Sequence, residues 1–236
     1  MKKKNILIII PAYNESKSIE KVCESLEKYK YDYVVINDCS TDETGKICQK
    51  KGYNCINLVH NLGIGGAVQT GYKYAKLNNY DIAVQFDGDG QHNSEYIKDL
   101  TDPIINNDMD MVIGSRFVRK INTFKSSFTR RLGIKLISFF IKLVTGEKIY
   151  DTTSGMRAVN KKIIDEFSEN YPTEYPEPIS TTLMIKKGYK VLEKPVKMNE
   201  RKEGISSIRA WKNIYYMVNV VLSIILIGFR RIKKWV

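Results

Sequence analysis

No CxxC pair and no histidine cluster accompany the four cysteines, Cys23, Cys39, Cys48 and Cys55, which all lie in the first quarter of the chain. This argues against a disulfide framework or a zinc site and fits reduced thiols in a cytosolic setting. The apolar run at residues 6–10 has five members before Pro11, too few for the core of a secretory signal, so export is not expected. The Walker sequence is missing, and no dinucleotide glycine fingerprint follows the first apolar run. Nucleic-acid motifs and aromatic-studded polar strands are missing too, so nucleic acid is not the expected partner despite a net charge of +12. Acidic residues are scarce in two long blocks. Residues 111–146 hold eight Lys/Arg and no Asp/Glu, and residues 186–236 hold thirteen against three, which leaves the remainder net negative. Leu, Ile and Phe fill these basic blocks, which suits an anionic membrane surface better than nucleic acid.

What is present reads as one α/β domain with a tail. At 236 residues and 43% apolar content, the chain is long enough to bury one sizeable core. Residues 5–10 read as a parallel strand covered on both faces, ending in PAYNE at residues 11–15. Ser16 or Ser18 is expected to cap a helix whose apolar positions are Ile19, Val22, Cys23, Leu26 and Tyr29. A second strand at 33–37 stops at Asp38, and a short helix then ends at Gly52. A third strand at 56–59 leads into HNLGIGGAVQTG. There Gly63, Gly65 and Gly66 either bring backbone N–H groups to a phosphate or serve tight packing. Strands at 81–86 and 109–113 follow, with Ser94 expected to open the helix between them. This alternation is that of a doubly wound, mostly parallel sheet, whose ligands bind beyond the carboxyl ends of the strands.

The strand at 81–86 runs directly into DGDGQH. Asp87 and Asp89, one residue apart where a strand ends, bring two carboxylates to one point. That suits Mg²⁺ or Mn²⁺ completed by phosphate and water, and an ordinary acidic turn is the alternative. Gly88 and Gly90 leave the backbone open to a bulky ligand. His92 reads as a turn histidine before it reads as a ligand. Arg116 closes the strand at 109–113, where its forked guanidinium suits a phosphate; a surface arginine is the plainer reading.

PAYNE, NDCSTDET, NLGIGGA and DGDGQH, followed by GSR, DTTSGMR and NERKEGISS, together resemble the family 2 glycosyltransferases of the GT-A fold. Within that family the nearest resemblance is to the dolichyl- and polyprenyl-phosphate sugar synthases. The resemblance implies a Rossmann-like GT-A domain over residues 1–206 and an inverting transfer from a nucleotide-diphosphate sugar. It implies that the positions matching Pro11, Tyr13, Glu15, Asp38, Gly66, Asp87, Gly88 and Asp89 hold the donor. A Mg²⁺ or Mn²⁺ ion would be held by Asp87, Asp89 and Gln91, and the acceptor phosphate by Arg116, Arg131 and Arg201. Asn93 and Ser94 stand where the family more often has prolines. DTTSGMR resembles the acceptor-side loop in which the position of Asp151 borders the sugar pocket. In members that glycosylate hydroxyl groups an acidic residue acts as general base, and Glu177 in EYPEP, residues 174–178, is the candidate. A lipid phosphate monoester needs no base, because with a second pKa of about 6 it is already ionised. The catalytic set implied is thus Asp89, Arg116, Arg201, Asp151 and Glu177.

Two segments are expected at the cytoplasmic face of the cell membrane. Residues 131–144, RLGIKLISFFIKLV, set Arg131, Lys135, Ser138 and Lys142 on one stripe of an otherwise apolar helix, which reads as an interfacial amphipathic helix over about 130–145, with a core-facing helix as the alternative. Residues 214–229 are sixteen without a charge. At ~1.5 Å per residue they reach about 24 Å, short of a ~30 Å hydrocarbon core. Lys212, Tyr216, Asn219, Ser223 and Arg230 form a narrow polar stripe, and Trp211 and Trp235 bracket the segment as interface anchors. Residues 207–236 are therefore expected as a membrane-associated helix, a buried core helix being the alternative, with self-association or a small integral membrane partner completing the attachment.

Overall fold

The computed structural model describes residues 4–106, 108–118, 128–199 and 210–230. Its elements are β1 (Ile6–Ala12), α1 (Ile19–Glu27), β2 (Asp32–Asn37), α2 (Thr44–Lys51), β3 (Cys55–Asn57), α3 (Gly63–Leu77), β4 (Ile82–Gln85), α4 (Ile97–Ile105), β5 (Met111–Ser115), α5 (Phe128–Thr145), β6 (Arg157–Asn160), α6 (Lys161–Glu169), α7 (Pro176–Lys186), β7 (Val191–Pro195) and α8 (Ala210–Phe229). The strands form one sheet in the order β3-β2-β1-β4-β6-β5-β7. β6 runs antiparallel to β4 and β5, and the remaining pairs are parallel.

Period-two alternation along β1 divides the core between the two faces of the sheet. Leu7 and Ile9 join Val68 and Tyr72 of α3, Ile137 and Ile141 of α5, Phe167 of α6, and Val220 and Ile224 of α8. Ile8 and Ile10 join Val22 and Leu26 of α1, Cys48 of α2, and Leu100 and Ile104 of α4. Each such side chain, fully buried, contributes roughly 1.5–3 kcal/mol. Gly71 sets how closely α3 lies on β1, because a Cβ there would collide with Ile9. Gly133 against Met217 and Gly228 against Val144 bring α5 and α8 together in the same way.

Several local expectations are corrected. α1 stops at Glu27 and Tyr29 lies beyond it, exposed, because Lys30 takes a left-handed φ of 57° and turns the chain. The Ser18 hydroxyl makes no helix cap and donates instead to the Glu15 carboxylate at 3.0 Å. β3 ends at Asn57 and leaves Val59 exposed, since the chain turns there towards α3. The turn before α4 is capped by Asn93 rather than Ser94: Asn93 Oδ1 accepts the Glu95 N–H at 3.0 Å. Ser138 faces inward and donates to the Ile149 carbonyl, so it does not share the outer stripe of Arg131, Lys135 and Lys142. Ile134, Ile137 and Ile141 fix the rotation of α5 by their burial. On α8, Val220 and Ile224 face the protein, Asn219 and Ser223 flank them, and the outermost residues are Tyr215, Val218, Leu222, Leu226 and Phe229. No helix among the described residues is long and apolar enough to cross a membrane. Trp235 and Arg201, and the side chains of Trp211 and Lys212, lie outside the described residues.

Candidate active site

The carboxyl ends of β1, β2 and β4 meet at one edge of the sheet. The Gly88 N–H donates to the Pro11 carbonyl at 3.3 Å, and the Asp38 N–H to the Ala12 carbonyl at 2.9 Å, so all three motifs share this edge. A Cβ at Gly88 would come within 3.1 Å of the Pro11 oxygen, so glycine permits the approach. Asn14, at φ 57°, accepts the Thr41 N–H at 2.8 Å. The Glu15 N–H donates to Thr44 Oγ1 at 2.9 Å. These bonds stitch PAYNE to the segment after β2 and leave the Tyr13 ring half in solvent. Asp38 is buried, and its Oδ1 accepts the Leu62 N–H at 2.7 Å, which anchors the approach to α3.

The glycines that follow have a packing reason. Gly63 takes φ 72° at the turn. A Cβ on Gly65 would collide with the carbonyl oxygens of Pro172 and Thr173, and one on Gly66 with the Leu62 side chain. The first turn of α3 is therefore held against the segment ahead of α7.

Asp87 follows β4 directly. Its Oδ2 lies 3.1 Å from His92 Nε2, while its Oδ1 and the Nδ1 of His92 are buried without a hydrogen-bond partner. Burial raises the Asp87 pKa. The His92 contact outweighs it, helped by Gln85 and the Arg157 charge, and the carboxyl is held below its ordinary range. Asp89 Oδ1 accepts the Gln91 N–H at 3.0 Å, and the Gln91 carbonyl accepts the Asn199 N–H at 2.8 Å. Asn199 is thus held against the acidic turn itself.

Arg116 and Asp151 form a buried pair, with Nε and Nη2 each 2.7 Å from a carboxylate oxygen. The Arg116 N–H adds a third bond to Asp151 at 2.9 Å, and Nη2 reaches Thr153 Oγ1 at 3.1 Å. With both oxygens on Arg116 and no solvent exposure, Asp151 is not open to an acceptor hydroxyl. Glu193 receives the N–H groups of Tyr150 and Asp151, and burial pushes its carboxyl up. Arg131 lies on the exposed side of α5.

Glu177 occupies the first turn of α7, after Tyr175 at a left-handed φ of 50°. Burial pushes its carboxyl above the ordinary range; the Arg157 charge opposes the shift and the nearby Asp87 adds to it. Gln85 and Arg157 are the site residues that sequence reasoning did not single out. A glutamine in the apolar strand β4, and an arginine opening β6 inside DTTSGMR, were the signals available.

Among the described residues no three His, Cys, Asp or Glu side chains form a metal cage. Asp87 and Asp89 on one turn, with Asp87 Oδ1 unpartnered, fit an ion such as Mg²⁺ that takes one or two protein carboxylates and completes its shell with phosphate.

The mixed α/β sheet, with a paired-aspartate turn at its carboxyl edge, fits the GT-A fold. The chain belongs to glycosyl transferase family 2, whose family model matches residues 7–168. It is 36% identical over 218 residues to the UDP-N-acetylglucosamine–dolichyl-phosphate N-acetylglucosaminyltransferase of Methanococcus voltae, covering 84% of this chain and 86% of that one. To the polyprenol monophosphomannose synthase of Mycolicibacterium smegmatis it is 28% identical over 214 residues, with 86% and 80% covered. Glucosyl-3-phosphoglycerate synthase from Mycobacterium tuberculosis, solved with phosphoglyceric acid, superposes with a TM-score of 0.72 at 17% identity, covering 95% of this chain and 80% of that one. The same enzyme solved with Mn²⁺, UDP-glucose and phosphoglyceric acid gives a TM-score of 0.70 at 15% identity, with the same coverage. At such identity the structures share the fold. The protein is an enzyme, a glycosyltransferase.

Proposed function

We propose that this enzyme transfers a sugar, with inversion, from a nucleoside-diphosphate donor to a polyprenyl phosphate at the cytoplasmic face of the cell membrane. The observation that carries the reading is an apolar outer surface on two adjacent helices. Leu132, Leu136, Phe139 and Leu143 on α5 and Val218, Leu222, Leu226 and Phe229 on α8 all point away from the protein. Lys135, Lys142 and Arg131 are exposed on α5 beside them. A water-soluble acceptor gives no reason for such a surface, whereas a lipid interface accommodates both the apolar and the basic residues. The relatives named for dolichyl- and polyprenyl-linked products support the same acceptor class. Attachment without a spanning helix among the described residues favours self-association or a small integral membrane partner. A purified chain that sediments with protein-free liposomes as a monomer would remove that need.

Pro11, Tyr13, Glu15, Asp38, Gly66 and Gly88 would border the donor, and Asp87, Asp89 and Gln91 would hold Mg²⁺ or Mn²⁺. The ion, when bound, neutralises charge on the leaving group as a Lewis acid. Arg131 and Arg201 receive the acceptor phosphate. Arg116, whose Nε and Nη2 belong to Asp151, secures the Asp151 loop. An ionised phosphate oxygen placed in line with the anomeric carbon attacks without a base.

Transfer from a panel of UDP- and GDP-sugars to undecaprenyl phosphate, followed by mass of the lipid product, tests the reading. Wild type should form a sugar-phosphate lipid and Asp89→Ala should not. Binding of donors without any lipid product would remove the phosphate acceptor. The raised carboxyl of Glu177 favours a second reading, a hydroxyl acceptor with Glu177 as base. Glu177→Gln distinguishes the two, because it spares transfer to a phosphate and abolishes transfer to a hydroxyl.

A further inference from the structure

Arg157 is fully buried, yet none of its hydrogen bonds goes to a carboxylate. Nε and Nη2 both donate to the Ser154 carbonyl, at 3.2 and 2.8 Å. Nη1 donates to the Glu177 carbonyl at 3.2 Å, to Ser180 Oγ at 3.0 Å and to Thr181 Oγ1 at 3.3 Å. Burying a cation costs several kcal/mol, and a carboxylate normally offsets it, as Asp151 does for Arg116. Asp87 and Glu177 act on Arg157 through charge alone, and its fork goes to two stretches of chain. One is the turn ending at Ser154 and Gly155; the other is the first turn of α7.

Gly155 gives that arrangement a target. A Cβ there would collide with both oxygens of Asp87, so the 154–155 backbone forms one wall of the carboxylate's seat. His92 Nε2 forms another, 3.1 Å from Oδ2. The antiparallel register that pairs Gln85 with Arg157 aligns these parts, because it brings the start of β6 beside the end of β4. We propose that Arg157 is a positioning residue that clamps the 154–155 turn to α7 and so fixes the orientation of the Asp87 carboxylate for the donor's metal ion. The fork geometry is what matters, since a lysine ammonium could not bridge the two stretches. The inference rests on the proposal that Asp87 is a metal ligand. Residues that hold a ligand in place typically change metal affinity by about 10–100-fold when lost.

The test is Mn²⁺ affinity, measured by electron paramagnetic resonance in the presence of UDP or GDP, with circular dichroism and thermal melts alongside. Arg157→Lys keeps the charge and loses the fork. Gly155→Ala leaves the clamp and pushes into the seat. Both should bind Mn²⁺ at least about tenfold more weakly than wild type while melting cooperatively above the assay temperature. Thr181→Val removes a single hydroxyl partner, so it tests the clamp even if the other two fail to fold; it should bind measurably more weakly. A folded variant of any of the three with wild-type Mn²⁺ affinity overturns the clamp, even if its melting temperature has fallen. Wild type that binds nucleotide but no Mn²⁺ would instead remove the metal-ligand role of Asp87, and the clamp with it.

Discussion

At the scale of single residues, Asp87 combines two properties that stability alone would not select. One oxygen meets His92 at 3.1 Å and the other is buried with no partner. The unpaired acceptor costs roughly 1–3 kcal/mol, but a carboxyl held below its ordinary range by His92 stabilises the fold in its ionised form. Asp87→Asn is therefore expected to melt lower than wild type without metal near pH 7, with the gap closing as pH falls through the folded value, and to lose transfer by about tenfold or more. Paired melting curves and initial rates would check this. Glu177 makes a prediction in pH. Its carboxyl titrates higher in the folded chain than when unfolded, where it is ordinary. The folded state thus holds the proton more tightly, and this contribution is present at low pH and fades as pH rises through the folded value. Glu177→Gln should accordingly raise the melting temperature of metal-free enzyme at about pH 8 and change it little near pH 4. An equal gain at both would contradict it. Asp87 and Asp89 were legible in the sequence because the chemistry lies in adjacent letters. Gln85 and Arg157 were not, because an antiparallel pairing brings them together across most of the second third of the chain.

At the scale of elements, strand and helix ends were readable where a residue forces the backbone. Gly52 closes α2 with φ 70°, and β1 and β2 run through their apolar stretches. The rotation of α5 was not readable, since apolar residues surround it on most sides. Packing against α8 chose Ile134, Ile137 and Ile141 for burial and turned Leu136 and Phe139 outward. Phe139→Asp and Leu222→Asp should each reduce sedimentation with anionic liposomes severalfold while leaving the melting temperature within a few degrees, because both side chains are exposed. Lost stability with retained liposome binding would contradict the outward assignment. Gly71→Ala should do the opposite. Its Cβ collides with Ile9, and the overpacking is expected to cost about 1–3 kcal/mol in urea unfolding with lipid binding unchanged.

At the scale of the whole molecule, the net charge of +12 and the apolar outer faces should act together at a membrane. Raising ionic strength from about 0.1 M to 1 M shortens the Debye length from about 10 Å to 3 Å. Liposome binding should weaken over this range and then level off at an apolar remainder. A fall to zero would assign all binding to charge. The tail that the sequence set apart as a membrane segment also contributes Val220 and Ile224 to the main core, so it belongs to the domain's packing as well as to its outer surface. The strand order has a consequence for assembly. β4 and β5 are separated by β6, which arrives later in the chain than either and is the strand that joins the two parts of the sheet. Until residues 157–160 are in place, β4 presents an open hydrogen-bonding edge on a strand whose residues are all buried in the finished enzyme. Such an edge is a template for pairing with another chain. Nascent or refolding molecules caught before that insertion are therefore the ones most prone to aggregate, and a fragment ending near residue 150 should self-associate where the full chain does not.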